Sequence, residues 1–141
     1  MASVIYNSFK ANIASGVIDL DTDTIKVMLV TSGYTPNQDT DTTRANITNE
    51  VVGTGYTAGG SALTGTSVTQ DNTGNQGVFD ANDLTWTTAT ITARGAVLYK
   101  SLGGLASADP LIKYEDFGSD KTSTGADFSI QWNAQGILLF T

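Results

Sequence analysis

Short runs of β-branched and apolar residues recur along this chain roughly every 8–14 residues, with glycine, asparagine or aspartate between them. This punctuation limits the possible folds more than any other feature. Strands favour branched side chains that suit a pleated surface, and turns favour residues that tolerate unusual backbone angles. Threonine is the commonest residue and glycine fills 15 positions, so the chain supplies both repeatedly. The strongest run, residues 24–31, has Lys26 as its only charge and reads as a largely buried strand. Residues 89–100 form a second, with Ile91, Ala93, Gly95, Val97 and Tyr99 on one face. After a turn at Leu102, Gly103 and Gly104, residues 111–117 pair back as a hairpin, and residues 118–126 read as a polar loop. Residues 127–133 alternate strictly, with Phe128, Ile130 and Trp132 pointing one way and Ser129 and Gln131 the other.

Weaker strand signals lie at residues 50–52, 62–68, 77–80, 84–86 and 137–140, around a turn at residues 71–75. The sum is about 7–9 strands, which predicts a mainly β fold, either a β-sandwich or a small β-barrel. No helical crossover lies between the strands, so a parallel sheet is not expected. No fixed period is visible, so propellers and solenoids are not expected either. Near the start, Val4, Ile5, Tyr6, Phe9 and Ile13 fall at helical spacing and Gly16 stands where a helix would end. This divides the chain into a short N-terminal helix or arm, residues 1–16, and a single β domain, residues 17–141. Residues 39–49 are polar, with a short helix or loop around Arg44 to Ile47.

The charge pattern removes whole classes of chemistry. There is no histidine and no cysteine, which excludes histidine acid/base catalysis, thiol nucleophiles, disulfides and zinc or iron–sulfur sites built on those residues. Charged residues make up 15%, against a usual ~25%. The formal net charge is −7, which argues against a broad nucleic-acid interface, because each phosphate contact needs a cation. No apolar run reaches the length of a membrane-spanning helix, and the first residues lack the pattern of a secretory signal, so synthesis in the cytoplasm and no membrane partner are expected.

Three constellations invite a chemical reading. Asp19, Asp21 and Asp23 present alternate carboxylates, but the sixth and twelfth positions of a calcium loop beginning at Asp19 would be Thr24 and Val30 rather than Gly and Glu. An acidic turn feeding a strand is the simpler account. Residues 53–60 contain Gly53, Gly55, Gly59 and Gly60 without the lysine of a phosphate-binding loop, and they read as a flexible turn. Trp86 and Trp132 could stack on sugars, although on alternating strands they more often pack in a core or interface. The residues therefore point to a non-enzymatic module without a cofactor or metal, one that binds a partner or assembles with itself.

The chain resembles a family of small structural proteins from tailed bacteriophages. The resemblance is carried by residues 6–10, 18–29, 49–56 with Gly59 and Gly60, 84–86, 93–100, 131–133 and 136–138. It implies a virion protein and is similar to a capsid decoration (cement) protein, which clamps neighbouring capsid subunits on the outer surface of the head. The partners so implied are the major capsid protein and further copies of the chain, often as a trimer. Val4, Ile5, Tyr6, Phe9 and Ile13 would then form the capsid interface. A tail, neck or fibre component is the alternative, followed by a carbohydrate-binding head appendage. Tail-tube subunits of such phages combine a larger sandwich with a long hairpin and a helix.

Overall fold

The computed structural model describes residues 2–141. Its elements, in order, are β1 (Val4–Ile5), α1 (Asn7–Ala14), β2 (Ile25–Val30), β3 (Ser61–Ala62), β4 (Ser67–Asp71), β5 (Gln76–Asp80), β6 (Leu84–Lys100), β7 (Leu111–Ile130) and β8 (Leu138–Phe140). The eight strands form two antiparallel sheets, a five-stranded one ordered β1-β7-β6-β2-β3 and a three-stranded one ordered β4-β5-β8. The arrangement is sandwich-like and no barrel closes. No helix among the described residues is long and apolar enough to cross a membrane.

Period-two alternation explains how β2 contributes to two cores. Ile25, Val27 and Leu29 point between the sheets, where they meet Phe9, Phe79, Leu98, Ile112, Phe128 and Leu138. Met28 and Val30 point the other way, into a second cluster with Tyr6, Tyr34, Val97, Tyr99, Leu111 and Tyr114. Fully burying each such side chain stabilises the fold by about 1.5–3 kcal/mol. The loop between β2 and β3 covers this second face. Tyr6 and Tyr34 share a hydrogen bond of 2.7 Å between hydroxyls, and the Tyr34 hydroxyl donates to Asp41 at 2.8 Å.

The glycine-rich segment of residues 53–60 is pinned rather than flexible. The Tyr56 hydroxyl donates to Glu50 Oε1 at 2.7 Å and accepts the Leu29 amide at 3.0 Å, while the Gly59 amide donates to the same Glu50 oxygen at 2.6 Å. Gly53 lies so close to β6 that a Cβ there would meet the Thr90 carbonyl and the Ile91 side chain. The acidic turn at residues 19–23 folds on itself. Asp23 accepts the Asp19 amide at 2.8 Å, Asp19 accepts the Asp21 amide at 3.0 Å, and Lys100 pairs with Asp23 at 2.9 Å.

Several boundaries differ from the sequence expectations. Residues 62–68 split between β3 and β4 in different sheets, and as strand residues 50–52 contribute only a bridge from Glu50 to Val30. A register shift near Gly95 sends Ile91 and Ala93 into one core and Val97 and Tyr99 into the other. The start is not a single helix over residues 4–15, because Val4 and Ile5 pair with Tyr114 and Lys113 before α1 begins. The segment that follows packs onto the β domain. The Asn7 amide donates to Gln38 O, Gln38 Nε2 donates to Ile5 O, and Phe9 lies in the main core. The segments 84–86 and 89–100 fuse into the 17-residue β6, and the polar stretch 118–126 belongs to the 20-residue β7. That stretch looked like a loop because most of its side chains are polar and exposed. Pairing with β6 nevertheless holds it, through Ala93↔Lys121, Thr92↔Thr122 and Ile91↔Ser123. Register shifts absorb the extra residues: β7 advances from Asp116 to Lys121 while β6 moves only from Gly95 to Ala93.

Candidate functional site

A groove of about 800 Å³ lies between β7 and the chain segment that leads into β8. Its walls include Lys121, Thr122 and Ser123, and again the consecutive residues Asp127, Phe128, Ser129 and Ile130. Neighbouring residues on a strand point to opposite faces, so a cleft meeting β7 face-on would collect alternate residues. The alternate residues Lys113, Glu115 and Phe117 show the groove meeting a face of β7 at that end, and the consecutive residues show it reaching the strand edge farther along.

That edge is open. β1 covers β7 only at Lys113 and Tyr114, and beyond that point β6 is the one strand paired with β7 among the described residues. The opposite wall is also an edge, since β8 pairs with β5 on one side and ends its sheet on the other. The groove therefore separates two sheet margins. Ladder positions on such margins offer amide donors and carbonyl acceptors to an incoming strand.

Side chains fix the shape of this gap. Lys113 Nζ reaches across it to donate to Ile137 O at 3.0 Å, and it pairs with Glu115 at 2.8 Å. The Trp132 amide donates to Asp83 at 3.0 Å and its indole Nε1 donates to Asn82 O at 3.0 Å, which holds the turn after β7. Phe117 and Phe128 pack with ring centroids 6.3 Å apart beneath the edge. Arg94 binds Asp116 at 2.8 Å at the register shift between Ala93 and Gly95, and this guanidinium holds the Asp116 carboxyl below its usual range. Lys121 is exposed and, among the described residues, has no carboxylate within ion-pair distance. The chemistry on offer is recognition of an extended chain: backbone hydrogen bonds along the edge, an aromatic wall, and one unpaired cation.

The five residues singled out from sequence do not form a surface. Tyr6 and Phe9 are 0% and 1% exposed, so they cannot contact a capsid in this fold, and the expectation that they do is corrected. Val4, Ile5 and Ile13 are half-buried against the two cores, and only Ile5 among the five reaches the groove. Of the two tryptophans, Trp86 is buried against Tyr56 and Phe128, whereas Trp132 lies past the end of β7, half-buried and lining the groove. Phe128 and Ile130 are buried as their alternation predicts. Sequence reasoning missed the groove because an open edge is defined by a strand that fails to arrive. One signal was available: Pro36 and Pro110 both lie outside β7, so no proline blocks pairing along it. No family model matches this chain, and neither a curated protein nor a solved structure was found to match it.

Proposed function

We propose that this chain is a non-enzymatic structural protein of a tailed-bacteriophage virion, seated on the outer capsid surface as a decoration protein after synthesis in the host cytoplasm. The observation that carries a docking role is the pair of open sheet margins facing one groove on an otherwise well-packed sandwich. The phage assignment rests on the resemblance of the sequence quoted above. The net charge of −7 suits the outside of a particle better than contact with packaged genome. In this reading the partners are the major capsid protein and further copies of the chain, with neither nucleic acid nor membrane engaged. Each copy bridges assembled subunits but not free ones, so mass action favours the intact shell, and many modest contacts add through multivalency.

One observation favours a tail position instead. The β6–β7 hairpin is long for a chain of 141 residues, and α1 packs against β7. A cryo-EM map of the intact virion separates the two readings. Density for this chain spread over the head lattice, with knockout heads that assemble but release DNA at lower temperature, is the expected result. Copies stacked in sixes along a tail, or knockout heads that are full and robust yet tailless, would overturn the decoration reading.

A further inference from the structure

The groove has a counterpart on the opposite margin of the same molecule. Because the small sheet is ordered β4-β5-β8, its two margins are β4 on one side and β8, with the groove, on the other. β4 is exposed at Ser67, Val68, Thr69 and Gln70. Val68 sits opposite Phe79, which in turn sits opposite Leu138, and cross-strand partners point to the same face. Phe79 and Leu138 are 0% and 3% exposed, whereas Val68 is 47% exposed. An inward-facing apolar side chain is therefore left uncovered because no strand lies beyond it.

Charge distinguishes the two margins as well. No lysine or arginine occurs between Arg44 and Arg94, while Glu50, Asp71, Asp80 and Asp83 all fall in that span. The β4–β5 hairpin is therefore purely acidic. The groove holds Lys113 and the unpaired Lys121 together with Glu115 and Asp127, so it carries no net charge, and Lys113 is paired with Glu115. In a protein of net charge −7 copies repel one another in general, and the neutral groove with its unpaired Lys121 is a place where an acidic hairpin meets less repulsion.

We infer that the β4 edge of one copy seats in the β7–β8 groove of the next, so that a second copy of this chain is the groove's occupant. β4 adds as a further strand along an open margin, Val68 is covered by the groove's apolar wall, and the acidic hairpin lies over Lys121. Donor and acceptor are different surfaces, so the contact is heterologous and generates either a closed ring or an open filament. The inference rests on the docking reading of the groove but not on the capsid assignment.

Sedimentation of the full chain up to millimolar concentration, combined with concentration-dependent hydrogen exchange, tests it. Wild type should associate, with amides of residues 67–71 and 117–130 gaining protection together. Thr69→Lys on the donor edge and Lys121→Glu on the acceptor edge are both exposed changes, and each should weaken association about tenfold or more. Combining them in one chain sets a lysine on the donor edge against a glutamate on the acceptor edge and should restore much of the loss. Circular dichroism melts confirm that each variant folds, and a variant that does not is replaced by Gln70→Lys or Lys121→Gln. A chain that remains monomeric throughout, or that associates with indifference to both edges, would overturn the inference. So would groove amides that become protected only on phage heads, which makes a capsid strand the occupant and leaves the docking reading standing. Failure of heads to bind an associating protein would remove the capsid assignment alone.

Discussion

Gly60 holds φ at +77°, in the left-handed region, and a Cβ there would overlap the Val27 carbonyl of β2. Both effects act on the same residue, one through backbone strain and one through a backbone atom that cannot swing aside. Gly60→Ala should therefore destabilise the domain by about 3 kcal/mol or more, measured as a lower urea midpoint with an unchanged slope. A shift of a few tenths would mean that the segment 53–60 can lift off β2, as a flexible turn could. The sequence made the glycine cluster conspicuous but not its purpose, since close approach to Val27 and Thr90 depends on residues more than 30 positions away in each case. The buried tyrosines carry a similar lesson. Burial pushes the Tyr99 hydroxyl up to about 12, and it donates to Gly59 O, so this phenol stays neutral and serves as a fixed strut at ordinary pH.

At the scale of elements, the N-terminal segment is the sharpest test. β1 extends the large sheet at Lys113 and Tyr114, Tyr6 fills the second core, and Phe9 fills the first. Removing residues 1–14 should leave a chain that is largely unfolded, because each large aromatic lost from a core costs about 3–5 kcal/mol against a typical total of 5–15. Phe9→Ala alone should lower stability by about 3–5 kcal/mol while the fold survives. Denaturant titrations of both variants, followed by tryptophan fluorescence, check this. A truncated protein as stable as the parent would restore the detachable arm that the sequence suggests. Helical spacing at residues 4–13 was legible, and α1 does form over most of it. The error lay in reading five apolar residues as a surface. A spacing pattern marks which side chains share a face and says nothing of what that face meets.

Across the whole molecule, cover is uneven. Near Gly95 to Lys100, β6 is flanked by β2 and β7, and both of its faces are buried. Toward Leu84, only one face is covered, and Thr85, Thr87, Thr90 and Thr92 stand in solvent, where Thr85 bonds Ser129 and Thr92 bonds Thr122 across the hairpin. Amide exchange in dilute solution should follow this gradient. Protection should be highest at residues 95–100 and 111–114, and lower at residues 118–127, where one margin of β7 is open. Uniform protection along the hairpin would mean that a strand already covers that margin at low concentration.

The sequence by itself determined that the chain is mainly β and roughly how many strands it has. Those properties follow from local terms: branched side chains at period two, and glycine and aspartate between runs. It also determined that histidine and cysteine chemistry is closed to this protein, since composition does not depend on fold. Only the tertiary structure decided that residues 118–126 are strand, that Tyr6 and Phe9 are core, and that β7 ends without a full partner. Each of those depends on which strand lies beside which. Pairing is a free-energy difference between distant segments, and the polar run Ser119, Asp120, Lys121 and Thr122 carries no local mark of the β6 residues that hold it in a ladder.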